Sequence, residues 1–403
     1  MSGIKPLTGL LGKARGLREG HRARHRPTGY GFALADCVDY LDAARWDAVA
    51  APRSLFLTRP YLRVLEEAGP ENLSQRYAMV FRGREAVAAV AAQCVSVTAA
   101  RVRKEPQHGK LAAPLERVRE RLLVCGNLLS WGLHGVAFAD GEDPAALWPA
   151  VAEALYRLRR ADKLSGGPDL VMVKDISDAD AEAASALARY SYRPLETDPD
   201  MVLEVSPRWG SYEDYLGSLT SKYRRAARQI EKDVEAAGCR VEELKDVGAH
   251  AAELHALYMQ THRGARLRLV TLREEFIPAL AAALGRDMRC AVVRRGDELL
   301  GFVTTVRDGD SGVGYYIGFD RAANAEFPVY FRLLLSVVDD AIRLGVRRLS
   351  LGRTALEPKA RLGARPAPMR VWIRHRVPAL NVLVRALLHT VSHDEAPERN
   401  PFK

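Results

Sequence analysis

What the chain has little of narrows its class first. Five cysteines, Cys37, Cys94, Cys125, Cys239 and Cys290, stand scattered through 403 residues without a CxxC pair. That spacing argues against a disulfide framework or a zinc ribbon and fits a reducing cytoplasm. The opening MSGIKPLTGLLGKARGLREGHRARHRP has no apolar stretch of signal-peptide length, and nowhere do about eighteen apolar residues follow one another. Secretion and membrane spanning are not expected. GxSxG, the P-loop and GxGxxG are absent, which removes the usual signatures of serine hydrolases, kinases and dehydrogenases.

What is present is apolar content and positive charge. Hydrophobic residues make up 48% of the sequence, enough for a well-buried core, and the length suits about two domains. Lys and Arg number 60 against 50 Asp and Glu, a formal +10. Such a balance favours an anionic partner: phosphate groups, an acidic carrier protein, nucleic acid or an anionic membrane surface. Lys5, Lys13, Arg15, Arg18, Arg22, Arg24 and Arg26 face only Glu19 in an opening segment without a sustained hydrophobic period. Residues 1–30 therefore read as a basic flexible arm.

Two distant segments align without a gap. RYAMVFRGREAVAAV (Arg76 to Val90) and RCAVVRRGDELLGFV (Arg289 to Val303) each read as strand, Arg-Gly-x-Glu turn and strand, because apolar β-forming runs flank a glycine free to take positive φ. A helical segment precedes each hairpin. After each come a strand, a helix and another strand: GVGYYIGFD, PVYFRLLLSVVDDAIRLG and VRRLSLG in the second half, NLLSWGLHGVAFAD, DPAALWPAVAEALYRLRRAD and DLVMVKDIS in the first. An order that occurs twice predicts a duplicated α/β unit. The seam is expected in RPLETDPDMVLEVSPRWG, giving an N-terminal domain over 31–205, a C-terminal domain with the donor site over 206–378, and an amphipathic end over 379–403. Just past the seam, SYEDYLGSLTSKYRRAARQIEKDVEAAG reads as a helix capped at Thr220 or Ser221 and closed by Gly238. Lys222, Arg224, Arg225 and Arg228 near its start form either a solvated face or a contact for an external anion.

The hairpin, then YYIGFD, then a helix entered at Pro328, then LSLGRTALEPKARLGA resembles the second half of tandem acyltransferases. These belong to the acetyltransferase (GNAT-like) superfamily that includes Fem-type aminoacyl transferases and cellulose-biosynthesis-type acetyltransferase-like proteins. The SLTSKYRRAARQIEK helix resembles the segment opening the second domain of that group, and the resemblance runs roughly from Pro52 to Arg376. It implies a mixed-sheet α/β fold of two tandem acyl-CoA N-acyltransferase-like domains. It also implies transfer of an acyl group from a thioester, or in the Fem branch from an aminoacyl-tRNA, to an amine. The strand Gly312 to Phe319, with Tyr315, Ile317, Gly318 and Phe319, corresponds to the one that pairs with the pantetheine arm of coenzyme A. The next helix corresponds to the one whose N-terminus meets the pyrophosphate. The glycine-rich turn of coenzyme A users should fall within DRAANAEFPVYFR, which contains no Gly. This leaves room for an acyl carrier protein as donor, with Arg321 and Arg332 supplying charge.

Such a reaction needs a base for the amine, donors for an oxyanion and a proton for the thiolate. Glu357 is the expected base, since GRTALEPK follows the C-terminal end of a parallel strand; an ion pair with Lys359 or Arg361 is the other reading. Tyr316 or Tyr330 is the expected proton donor, with core packing as the alternative. Arg353 and Lys359 are expected to read phosphate or oxyanion. His134, in SWGLHGVAF, reaches the reaction site if the two halves face each other. Tyr258, His262 and Arg263 are expected at the acceptor site. No carboxylate-bearing ligand pattern accompanies His250, His255 and His262, so no metal is expected.

Leu380, Leu383, Val384, Leu387 and Leu388 share one helical stripe behind Arg370, Arg374 and Arg376, which docks either on the protein itself or on an anionic membrane. The leading expectation is an N-acyltransferase moving an acyl group, long-chain by preference, from acyl-CoA or an acyl carrier protein to an amine such as a sphingoid base or another aminolipid. It is expected in the cytoplasm, peripheral on the inner face of the membrane if the stripe docks there, without a permanently bound cofactor. A tRNA-dependent Fem-type transferase acting on a cell-wall precursor is the second reading, and the one in which nucleic acid is a partner. An inactive binding module is the third.

Overall fold

The computed structural model describes residues 26–98, 119–264, 268–377, 380–381, 397 and 399–403. Its first half comprises β1 (Gly31–Ala35), α1 (Ala43–Ala50), α2 (Arg59–Glu67), β2 (Leu73–Arg82), β3 (Glu85–Thr98), β4 (Arg119–Cys125), β5 (Val136–Phe138), α3 (Pro144–Ala161), β6 (Leu170–Ser177), α4 (Asp178–Ala184) and β7 (Arg193–Glu204). The second half comprises α5 (Tyr212–Ser218), α6 (Ser221–Ala236), β8 (Cys239–Glu243), α7 (Ala251–Arg263), α8 (Phe276–Leu284), β9 (Met288–Arg295), β10 (Glu298–Asp308), β11 (Ser311–Phe319), α9 (Arg321–Glu326), α10 (Val329–Arg343), β12 (Arg348–Ser350), α11 (Leu356–Arg361) and β13 (Arg365–His375).

Local chemistry accounts for most of these boundaries. The two Arg-Gly-x-Glu turns join β2 to β3 and β9 to β10, with Gly83 at φ 62° and Gly296 at φ 58°, the left-handed conformation a side chain resists. Asp143 caps α3 by accepting from the Ala145 N–H, and Pro144 fills the first turn, where its missing N–H costs nothing. The apolar stripe of α3 then buries Trp148, Val151 and Leu155 against the sheet. A buried valine or leucine of this kind is worth about 1.5–3 kcal/mol against exposure.

One mixed sheet runs through the molecule in the order β1-β2-β3-β4-β6-β13-β7-β12-β11-β10-β9-β8, with β5 on β3. Its centre holds an exchange. β7, which ends the first half, pairs antiparallel with β12 of the second half, while β13, which ends the second half, pairs with β6 of the first. The two exchanged strands also pair with each other. Met201 and Leu203 of β7 lie in the second half's core, and Trp372 of β13 lies in the first half's. A third core joins the halves on one face of the sheet, packing α2 against α8.

Two segments differ from expectation. The stretch expected as a seam is mostly β7; its Pro199 and the Pro368 of β13 fall where the β7–β13 register shifts, between Ala367 and Met369, because proline cannot donate to a ladder. Of NLLSWGLHGVAFAD only Val136–Phe138 is strand. Residues 126–135 leave the sheet between β4 and β5, both of which pair with β3, and cross to the second half. Leu383, Val384, Leu387 and Leu388 of the C-terminal stripe, and nearly all of the basic arm, lie outside the described residues; Leu380 is exposed. No described helix is long and apolar enough to cross a membrane.

Candidate active site

β11 and β12 run parallel and in register over Ser311–Val313 and Arg348–Ser350, then part. Among the described residues, β11 beyond Val313 has β10 on one side and no strand on the other. Opposite Thr304 of β10 sit two residues of β11, Tyr315 and Tyr316, because the register steps from Val303–Ile317 to Thr305–Gly314. Such a bulge re-aims side chains, and here both tyrosines pack in the core shared by the two halves, ring centroids 4.7 Å apart. Tyr316 N–H donates to Thr304 Oγ1 at 2.9 Å. Close packing at Gly318 explains its residue type: a Cβ there lies 2.6 Å from the Tyr258 backbone N of α7.

The 126–135 segment closes over this parting. Tyr316 Oη donates to Leu129 O at 3.1 Å, and the Trp131 indole N–H bonds Ser350 Oγ at the end of β12. Tyr315 Oη meets Tyr61 Oη at 2.7 Å, and Asn127 Nδ2 donates to the same Tyr61 oxygen at 2.6 Å. Burial pushes the hydroxyls of Tyr61, Tyr315 and Tyr316 well above the usual range, so all three stay protonated.

Beneath Ser350 lies a buried knot of charge. Ser350 Oγ donates to Asp200 Oδ2 at 2.6 Å and the Gly352 N–H to Asp200 Oδ1 at 2.9 Å. Burial raises the Asp200 carboxyl, and these two bonds pull the other way. Lys359 is 4% exposed, and its ammonium has no hydrogen bond among the described residues; burial lowers it to about 8, opposed by the charge of Asp200. Beside this pair the buried Asp175 accepts from the Gly132 N–H at 3.0 Å and pairs with Lys174 and Arg353. Arg353 Nε is buried without a hydrogen-bond partner among the described residues. Asp175 holds φ 61° and Ala355 φ 52°, conformations that cost roughly 1–3 kcal/mol in a non-glycine residue and collect at functional sites.

His134 does sit at the meeting of the halves. Its Nδ1 is 2.7 Å from Ser130 Oγ, its Nε2 is 3.7 Å from Asp308 Oδ2 of β10, and its ring stacks on Phe56 at 4.2 Å. Burial drives its pKa down to about 3, with Lys174 adding to the effect. The imidazole is therefore neutral and a weak base. Tyr258 and His262 stack at 5.1 Å, and Tyr258 meets Tyr316 edge-on at 5.9 Å, which brings them to the same tyrosine cluster. Arg263 is exposed at the end of α7.

Glu357 is not in this group. It faces solvent on α11, pairing with Arg361 at 3.0 Å and Arg399 at 3.0 Å, and these partners hold its carboxyl below the usual range. The ion-pair alternative describes its placement, and the buried acid near the strand end is Asp200 instead. Arg332 bonds Ser336 Oγ within α10 at 3.2 Å, and Tyr330 packs on Phe319 at 5.5 Å.

The first turn of α10 is also different from expectation. Pro328 has no N–H, that of Val329 bonds Phe327 O at 2.8 Å, and that of Tyr330 bonds Asn324 Oδ1 at 2.8 Å. The segment lacking glycine forms α9, whose own N-terminus is capped by Asp320 Oδ1 on the Ala323 N–H at 2.8 Å. An anion site needs free N–H groups, and here a carbonyl and an amide oxygen occupy the first two of α10 while a carboxylate caps α9. The free edge of β11 fits an extended amide-bearing arm, whereas this helix end does not fit a pyrophosphate.

Sequence reading missed Asp200, Ser350, Trp131, Tyr61 and Asp308. Asp200 lay in what read as a connecting stretch. The Lys174–Asp175 pair, breaking an apolar strand at its C-terminal end, was the available signal for a buried charge.

A hairpin followed by a strand that pairs in parallel with the strand after the next helix, an arrangement built twice, defines the fold. It is that of two GNAT-like units in tandem. Residues 220–360 match the family model described as an acetyltransferase (GNAT) domain. Among solved structures, that of FemX has a TM-score of 0.53 at 11% identity, covering 87% of this chain and 99% of that one. A tandem GNAT protein from the clavulanic acid biosynthesis pathway gives 0.52 at 11% identity, with the same coverages of 87% and 99%. At such identities the likeness is one of fold: the chain has the GNAT-like fold in tandem, and residues 220–360 match the GNAT domain itself. A Mycobacterium tuberculosis protein named "Putative 8-amino-7-oxononanoate synthase 2" is 25% identical over 289 residues, covering 69% of this chain and 36% of its own length. The chain thus spans about a third of the length of the curated relatives it matches.

Proposed function

We propose that the protein is an N-acyltransferase that moves an acyl group from a thioester lying along the free edge of β11 to an amine. The observation that carries this reading is the parting of β11 from β12 at the Tyr315–Tyr316 bulge, within the segment that matches a GNAT domain. In the reaction the thioester C–S bond breaks as the C–N bond forms. The amine's proton passes to Lys359 in its neutral form, and the Tyr316 hydroxyl protonates the leaving thiolate. Lys359 is suited to the first role because its ammonium gives up a proton near pH 8. Tyr316 is suited to the second because burial keeps it protonated. Asp200 and Arg353 orient the pair, with Trp131 and Ser350 linking it to the tyrosines. Tyr258 and His262 face the acceptor.

The acyl group is long-chain and the acceptor an amphipathic amine, such as a sphingoid base or another aminolipid. The apolar residues around the parting support this: Leu129, Phe56 and Tyr61 from the first half, Phe276 and Tyr316 from the second. The name of the M. tuberculosis relative also speaks of an amino group beside an oxo group on an aliphatic chain. A lipid acceptor entails work at a membrane surface, peripherally. The test mixes purified protein with palmitoyl thioesters and sphinganine and follows free thiol and amide product. Absence of amide from every thioester and amine tried sinks the reading.

A further inference from the structure

We infer that the donor is a phosphopantetheine thioester borne by an acidic carrier protein, which docks on the arginines around the C-terminal end of β11. The inference rests on the acyl-transfer reading and names its donor. A nucleotide-bearing donor brings its own pyrophosphate, and the helix end nearest the strand is closed to it: Asn324 Oδ1 holds the Tyr330 N–H at 2.8 Å and Asp320 places a carboxylate one turn earlier. The free edge itself remains, from Gly314 to Phe319, about 20 Å of backbone at strand rise. An extended pantetheine arm can span that length from the surface to the bulge.

The surface at that end is basic. Arg263, Arg268 and Arg321 are exposed and have no ion pair among the described residues. Arg321 follows β11 directly, and its Nη2 lies 3.0 Å from where a Cβ on Gly264 would sit, which places it beside Arg263. Arg268 is close enough to His262 to help lower its pKa, and Arg295, which itself pairs with Glu298 at 3.8 Å and so stands apart from the unpaired three, is close enough to Asp320 to lower that carboxyl. Asp320, the acid among them, is engaged by the Ala323 N–H at 2.8 Å and by Gln260 Nε2 at 3.1 Å. Like charges gathered without counter-ions repel one another and gain most from a partner that brings acids to them. A carrier with an acidic face supplies those acids and leaves its phosphate outside the α10 turn. On transfer, the acyl carbon leaves the carrier's sulfur for the amine nitrogen, Tyr316 protonates the carrier's thiolate, and the amine's proton taken by Lys359 is released to solvent as solvent reprotonates Tyr316.

The experiment supplies one palmitoyl group on two donors, coenzyme A and a phosphopantetheinylated acyl carrier protein, with sphinganine as the amine. Amide formation is followed for the wild type and for Arg263→Glu/Arg268→Glu/Arg321→Glu, with circular dichroism verifying the fold. The expected result is a kcat/KM at least tenfold higher with the carrier, falling steeply between 50 mM and 500 mM salt, and a triple variant that brings the two donors within threefold. Should the variant not fold, Arg268→Glu alone and the salt dependence carry the same test. Equal or better use of palmitoyl-CoA, or a carrier rate indifferent to salt and to charge reversal, overturns the inference while leaving the acyltransferase reading standing. Failure with both donors overturns the two together.

Discussion

The hydroxyls of Tyr61 and Tyr315 lie 2.7 Å apart across the boundary between the halves, and only the Tyr61 oxygen also receives the Asn127 amide. Removing one hydroxyl is therefore not equivalent to removing the other. Tyr61→Phe leaves both Asn127 Nδ2 and Tyr315 Oη without this partner, whereas Tyr315→Phe leaves Tyr61 still bound to Asn127. A buried polar group left unpaired costs about 1–3 kcal/mol. Urea unfolding should find Tyr61→Phe the more destabilised by roughly that amount; equal midpoints would place the network elsewhere.

Lys359 should give the protein an alkaline rise in stability. Its pKa falls from 10.5 unfolded to about 8 folded, so between those values the unfolded chain binds more protons and stability increases with pH. The slope approaches about 1.4 kcal/mol per pH unit inside that window. Lys359→Met should lack the slope and be more stable than wild type at pH 7. In the proposed reaction, wild-type turnover should rise through pH 8, and Lys359→Arg should abolish that limb.

His134 behaves in the same direction at acid pH. With a folded value near 3 against 6.5, the unfolded state takes up a proton that the native state refuses. Stability is lost as pH falls below about 6.5, and the loss continues towards 3. Nuclear magnetic resonance of the His134 ring should report a neutral imidazole at pH 5, and an imidazolium there would contradict the burial that sets its pKa.

Glu357→Gln should change little. Its partners Arg361 and Arg399 lie at the surface, where such pairs are worth about 0–1 kcal/mol. Thiol release within twofold of wild type is expected, and a loss of a hundredfold would return Glu357 to the chemistry.

Leu203→Ala tests the strand exchange. The side chain is fully buried in the second half's core although its strand follows directly on the first half. A cost of about 2–5 kcal/mol is expected in one cooperative transition. Two separate thermal transitions would mean that the halves are independent.

The sequence disclosed the parts that local chemistry determines. Gly83 and Gly296 mark turns because no other residue takes their φ cheaply, and the stripe of α3 marks a helix because its period is that of a helix. Tyr315 and Tyr316 were legible as strand residues, and their arrival at an inter-half site followed from duplication. Long-range pairing left no such mark. β7 carries Pro194 and Pro199 and many acids, so its pattern read as a connection, and only pairing with β12 and β13 makes it a central strand. Asp200 was hidden with it. Residues 126–135 look strand-like because they are apolar, but their apolar side chains serve the far half. Glu357 and Lys359 sit two positions apart on one short helix, and nothing in GRTALEPK says which faces inward.

The exchange also orders events on the ribosome. β7 is already made when β12 emerges, so the second half can close its sheet as soon as Arg348–Ser350 appear. The first half has no such luck: its strand β6, Leu170–Ser177, awaits Met369–His375. At ordinary synthesis rates the wait is on the order of ten to forty seconds. Throughout it the nascent chain presents an apolar, unpaired strand edge of the kind that recruits other chains. Yield in a slow-translating host should therefore depend most on chaperones that shield that edge, and slowing synthesis before β6 should help less than hastening it afterwards.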